Sequence, residues 1–339
     1  MKNLIPQNPT GKIVKLNTKE DCLEYFNADD FQRINDNLPS NQNITDFLPF
    51  FIEYTKTDTF RVSSDLIFSS IPQIINCQNL VFDGGSITSF VQLTIKAATT
   101  SLVNPSPNNN YQIKMTGSSG ASGINGSNGG KGPDGTTGQN KNCDDGLPGS
   151  NGGQGDLGAT GGDGQNGGGT PISNLSLGSI RLSGSSLFTV LAQGGNGGNG
   201  GNGGKGGPGG KGGDGGNAFS TGCTCYNNGG NGGLGGNGGF GGTGGKAGDG
   251  SSVNQTMLIT VNTIADRVNL STNAIAGSAG RHGAGGSGGD GGFGGAGGTG
   301  TKHGRDGSRG SNGFTGQVGC DGASGSNGTM PQITVISLL

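Results

Sequence analysis

Between residues 117 and 138 glycine returns at every third position without a miss. The same step runs from 146 to 167 and from 304 to 328. A three-residue period is that of the polyproline II helix, whose side chains at i and i+3 point the same way. Glycine on one such face lets a neighbouring backbone approach closely. The period therefore points to backbones packed on backbones, without side chains between them. Composition agrees. Of 339 residues 80 are glycine, only 28% are hydrophobic and none is Trp, which excludes one large conventional core.

The glycines are concentrated. Only Gly11, Gly84 and Gly85 precede residue 116, and none follows residue 328. Residues 1–58 read as a mixed α attachment region, with short helices over 17–38 and 44–54. Residues 59–115 read as a β-rich base of short strands (TFRV, DLIF, NLVFDGGSI, VQLTIKA, YQIKM), from their β-branched and aromatic enrichment between turn residues. Residues 116–329 form the glycine-rich part. Three units of similar length, 91–171, 172–252 and 253–329, each open on strand-like residues and continue into a glycine arm, an interruption and a second arm. Returning strands are expected at 172–191, 253–275 and 330–339. The interruptions, near 139–144, 218–228 and 301–305, read as tips of out-and-back hairpins. An arm of about 24 residues would be ~75 Å long.

Three arms, 193–216, 229–250 and 277–300, carry glycine in two of the three registers. Such arms can be packed on two faces and belong inside a bundle. Arms with one glycine register belong at its edge. The remaining register holds Asn, Lys, Asp, Thr and Phe, which can face solvent. The expected fold class is thus mostly β and non-classical. A β-rich base, a sheet or short β-solenoid, carries about six antiparallel polyproline II (polyglycine II) helices as three hairpins. Collagen is disfavoured because only Pro133, Pro148, Pro171 and Pro208 fall within 116–329 and antiparallel hairpins cannot form a parallel triple helix. A disordered linker is the other alternative, and the matched arms and returning strands argue against it.

These G-x-x and G-G-x repeats resemble glycine-rich polyproline II bundle proteins. Two examples are the snow flea antifreeze protein and the distal long-tail-fibre adhesin of T-even phages, whose glycine motifs alternate with variable tip loops. The resemblance covers the arms and not residues 1–115. It implies either a receptor-binding adhesin or an ice-binding protein.

Loops at the end of a rigid scaffold are a natural recognition surface. The tips supply Phe219 and Tyr226 with Lys141, Asp144, Lys302, His303 and Arg305, a mixture of aromatic and charged groups suited to glycan or protein. Plain turns are the alternative. Cys143, Cys223, Cys225 and His303 have ligand types suited to structural zinc, although Cys-x-Cys departs from the usual spacing. A disulfide from Cys143 or free thiols are the other readings. Phe293 and Phe314 lie nearly equidistant from the third tip and are expected side by side as a lateral patch or flank cover.

No nucleophile elbow, Walker loop or zinc-protease helix is present, and the glycine runs lack the strand and helix of a dinucleotide site. The expectation is a non-enzyme without cofactor. Net charge of −2 and pI near 5.6 argue against nucleic acid, and no apolar run is long enough to insert in a membrane. Residues 1–16 lack the apolar stretch of a secretory signal. The expectation is a receptor-binding adhesin at a fibre tip or particle surface, such as a phage tail fibre, on a virion released by lysis. It would bind cell-surface glycan or protein through its tips, and other fibre or virion proteins through residues 1–60. Alternatives are an extracellular ice-binding protein and a structural spacer.

Overall fold

The computed structural model describes residues 11–26, 32, 46, 48–221, 226–252 and 256–339. Its base is a coil of paired strands. The chain lays down β1 (Lys12–Leu16) and the short helix α1 (Lys19–Tyr25), then runs back antiparallel to β1 in β2 (Phe50–Val62). From there it alternates between two sheets. Strands β4 (Gln73–Asp83), β6 (Leu93–Asn104), β9 (Ser173–Leu182), β12 (Thr256–Val261) and β14 (Gln332–Ser337) extend the first sheet. Strands β3 (Leu66–Phe68), β5 (Ile87–Ser89), β7 (Ile113–Thr116), β10 (Phe188–Gln193) and β13 (Leu270–Ile275) make the second. The first is a seven-stranded mixed sheet in the order β1-β2-β4-β6-β9-β12-β14, parallel except at β1. The second is a five-stranded parallel sheet in the order β13-β10-β7-β5-β3.

Register stacks like residues along each sheet. In the first, Thr55, Ile75, Ile95, Leu175, Ile259 and Val335 lie opposite one another in turn. In the second, Leu66, Ile87, Ile113 and Val190 do so. Alternate residues of both sheets face each other and form the main core, where Phe82 and Phe188 meet edge-on at 5.2 Å. The β1 end is closed by a second cluster of Leu16, Cys22, Phe26, Ile52 and Ile74. Thr18 and Asp21 cap α1 reciprocally. At the other end Thr263 and Asp266 do the same for α2 (Ile264–Val268), and Asp266 Oδ1 also accepts from the buried Ile180 amide at 2.8 Å.

The sequence expectations change here in three ways. Residues 44–54 were expected as a helix, but from Phe50 onward they belong to β2, which also crosses the boundary drawn at 58. Pairing with β1 and β4 and burial of Ile52 override the short aromatic run. The helix expected over 17–38 is α1 at its start; 27–31 and 33–38 lie outside the described residues. The polyproline II bundle is corrected most. The regular secondary structure of the described residues is the two sheets, a two-stranded pair in the tips and two short helices, so the mostly β character holds. The glycine arms contain neither helix nor strand.

They are instead extended segments joined by backbone hydrogen bonds at every third residue, and they are not simply antiparallel. The first (117–138), third (194–216) and fifth (277–300) arms lie side by side and parallel, as in Gly126 N–H to Asn202 O and Gly203 N–H to Ala284 O, both 2.8 Å. The second (146–168), fourth (229–250) and sixth (304–328) make a second parallel row, as in Gly158 N–H to Phe240 O and Gly241 N–H to Gln317 O. Only contacts across the rows are antiparallel, as in Gly207 N–H to Asp156 O and Gly239 N–H to Gly207 O. The physical reason lies in the base. The outgoing arms leave from the neighbouring parallel strands β7, β10 and β13, and the returning arms enter the neighbouring parallel strands β9, β12 and β14. Each row therefore continues one sheet. Gly117 and Gly194 donate to Gln193 and Ile275, the last residues of β10 and β13.

The third and fourth arms each touch four others; one of their glycine registers is buried throughout and the other is buried or half-buried. A methyl group on Gly207 would collide with the Gly130 carbonyl, which is backbone and cannot turn away, whereas one on Gly130 meets first the flexible Asp156 carboxylate at 2.8 Å. Gly207→Ala should cost about 1–3 kcal/mol by overpacking. Gly130→Ala should change stability by less than about 1 kcal/mol. Denaturant unfolding of the two variants checks the difference, and equal losses would contradict the packing.

Candidate functional site

The outward register of each arm was expected to do no more than face solvent. Its Asn and Asp side chains instead hold the rows together. In the Asn-Gly and Asp-Gly pairs of the first four arms the glycine amide donates to the carbonyl of one residue on the next arm of the same row. The preceding side chain accepts from that same residue's amide. Thus Gly126 N–H donates to Asn202 O while Asn125 Oδ1 accepts from Asn202 N–H, both at 2.8 Å. Asp134 and Gly135 hold Lys211 in this way, Asn151 and Gly152 hold Leu234, Asn237 and Gly238 hold Phe314, and Asp214 and Gly215 hold Ala296. An amide that would otherwise look outward without a protein partner is thereby satisfied.

The two rows present opposite outer faces of different chemistry. The odd-numbered arms expose Lys131 paired with Asp134 at 2.7 Å, Lys211 with Asp214 at 3.1 Å and Lys205 with Asp290 at 3.7 Å. Exposed pairs of this kind add little stability. The even-numbered arms carry one such pair near the base, Lys246 with Asp249 at 3.9 Å, and over their middle expose Leu157, Leu234, Phe240 and Phe314. Phe293 and Phe314 stand at the same level, since Gly313 donates to Gly292 O at 2.9 Å. They belong to different rows, however, and project from opposite faces. The expected adjacent pair is therefore two separate exposed rings, 67% and 80% accessible. Equal distance from a tip fixes their level but not their face.

The tips gather at the end of the arms remote from the base. Lys141–Asn142 and Ala218–Phe219 form the short parallel pair β8 and β11. The Cys143 amide donates to Phe219 O at 2.8 Å, and Asn142 bonds Thr221. Tyr226 lies against His303 with ring centres 5.2 Å apart. Asn227 and Thr301 exchange hydrogen bonds, and the Arg305 amide donates to Asn228 Oδ1 at 2.9 Å. Asp145 Oδ1 accepts from Asn228 N–H at 2.6 Å and so links the first tip to the end of the second. Phe219, Tyr226, Asp144, Lys302, His303 and Arg305 are exposed and Lys141 is half-buried. The tip residues singled out from sequence thus share one end surface. Sequence reasoning missed Asn142, Asn227, Asn228 and Thr301, which join the tips. Their spacing from the arm ends was the available signal.

Cys143 is a free, exposed thiol with positive φ of 55°. Cys223 and Cys225 lie outside the described residues. The zinc set would need them, and among the described residues no group of three or more His, Cys, Asp or Glu is placed to hold a metal ion. Burial pushes the Cys77 thiol up to about 11, which leaves it inert at neutral pH. No helix among the described residues is long and apolar enough to cross a membrane.

Two clamp carboxyls are held below the usual carboxylate range, Asp134 by the Lys131 side chain and then the Lys211 amide, and Asp214 by the Ala296 amide and then Lys211. A carboxyl whose folded pKa is lowered contributes stability above its ordinary value and loses it as pH falls through the folded one. The melting temperature should therefore fall below about pH 4. Asn at both positions keeps the accepting oxygen and removes the titration, so Asp134→Asn with Asp214→Asn should make that fall shallower. Melting curves from pH 7 to 2 check this, and an unchanged acid limb would refute the role of these carboxyls. Compared with protein-family models and with curated proteins, the chain finds no match.

Proposed function

We propose that this protein is a non-enzymatic, receptor-binding adhesin at a fibre tip or particle surface, such as a phage tail fibre, that engages cell-surface glycan or protein through the joined tips. One observation carries the reading: three separate loops are held edge to edge at the end of a rigid lattice, exposing Phe219, Tyr226 and His303 beside Lys302 and Arg305. Aromatic and cationic groups on a preorganised surface are the usual anchors of recognition. The tips can vary in sequence without touching the glycine registers that pack the arms. In this reading residues 1–60 attach the protein to its particle.

The test is direct. Labelled full-length chain is applied to a panel of bacterial cells and to immobilised surface glycans and proteins. Retention on a subset is expected. Phe219→Ala with Tyr226→Ala should weaken it by roughly 2 kcal/mol or more, as for aromatic anchors that a partner covers. Undiminished retention would sink the tip assignment. Ice-recrystallisation inhibition without cell binding would favour the ice-binding alternative.

A further inference from the structure

The even-row face can be read as a grid, because each glycine amide fixes which outward residues lie abreast. Gly152 and Gly235 align Asn151, Leu234 and Ser311. Gly155 and Gly238 align Gln154, Asn237 and Phe314. Gly158 and Gly241 align Leu157, Phe240 and Gln317. None of these residues is charged, and neither are those abreast on either side, at Pro148 and at Thr160. In this register charge returns only at the next levels, with Asp145 and Arg305 towards the tips and Asp163 and Lys246 towards the base, while the exposed Asp156 and Arg309 lie in the other register of the second and sixth arms. The grid is thus neutral over its middle and bounded by charge at both ends.

A groove of about 550 Å³ runs across this neutral field. Its floor is the backbone of Gly152, Gly235, Gly236 and Gly313, and its sides include Leu234, Phe314, Gln154 and Asn237. The size is that of a small-ligand site. The clamps also determine its polarity. Asn151 and Asn237 spend their oxygens on the Leu234 and Phe314 amides at 2.9 Å. Their NH2 groups are thereby oriented as donors.

We propose that this groove is a binding site for a neutral oligosaccharide, separate from the tips. An exposed aromatic ring offers a face to the C–H side of a sugar ring. Flanking amides and hydroxyls match sugar hydroxyls. None of the residues lining the groove is charged, so phosphate, sulfate, sialate or an acidic peptide finds no ionic partner among them. The repeat of donors along parallel arms suits a chain of sugar units better than a single one. The opposite face, with its Lys and Asp pairs, offers no such field.

The test uses full-length protein and a panel of neutral linear oligosaccharides at millimolar concentration, read by saturation-transfer NMR, with sialylated and sulfated analogues alongside. Binding of at least one neutral member is expected. Phe314→Ala and Gln154→Ala should each weaken it about tenfold, and Phe219→Ala with Tyr226→Ala should leave it unchanged. Neither Phe314 nor Gln154 uses its side chain to hold an arm, so unchanged melting curves keep the comparison valid. Absence of binding across the neutral members, preference for the charged analogues, or loss in the tip variant alone would each overturn the groove. The last result would leave the tip reading standing.

Discussion

A single contact governs this molecule: the amide of a glycine on one arm meets the carbonyl of the next arm at 2.7–3.0 Å, with nothing between the backbones. A side chain on such a glycine would collide with the backbone carbonyl of a further arm, that of Gly130 at Gly207 and that of Pro133 at Gly210. The lattice has no apolar core, so its cohesion rests on these bonds and on close packing. Each bond contributes only about 1 kcal/mol net. Their number, and their fixed repeat, must offset the large ordering entropy of glycine. That is possible because the β base sets the starting register of every arm. Residues 193 and 275 are already paired in strands when the first lattice bonds begin.

The same continuity explains how function-bearing surfaces are made. Each sheet of the base is prolonged into a row of arms, and the two rows turn their outer registers in opposite directions. In the arms with two glycine registers one sequence triplet therefore places two residues in the lattice and one on a surface. Where that surface residue is Asn or Asp, it ties its own row in the first four arms and the two rows together in the sixth. Where it is Leu, Phe, Lys or Gln, it is free to define the chemistry of the face. Binding character can change along the arms without disturbing their packing.

Much of this was legible in the sequence. The period of three, the matched arm lengths, the returning strands and the tips could all be read from residue spacing, because glycine positions are dictated by backbone contact. The strand at 50–54 was not, since FFIEY has no pattern that separates a short helix from a strand until β1 and β4 flank it. The arms were read as antiparallel polyproline II hairpins because a period says which residues meet but not which partner they meet. Neighbours some 80 residues apart along the chain, such as Asn125 and Asn202, become visible only once the coil of the base is known. For the same reason Phe293 and Phe314 could be set at one level but not assigned to faces. Of the tip, sequence supplied the exposed side chains but not the Asn and Thr residues that fasten them together.

The direction of the lattice bonds has a mechanical consequence. They run across the arms, while the tips and the base lie at opposite ends of them. A pull applied at the tips and resisted at the base loads these bonds in shear, many at once, instead of opening them singly from one end. Slippage by less than three residues would bring outward side chains such as Lys205 or Phe240 against backbone, so intermediate positions are sterically closed. The lattice thus resists extension along its length.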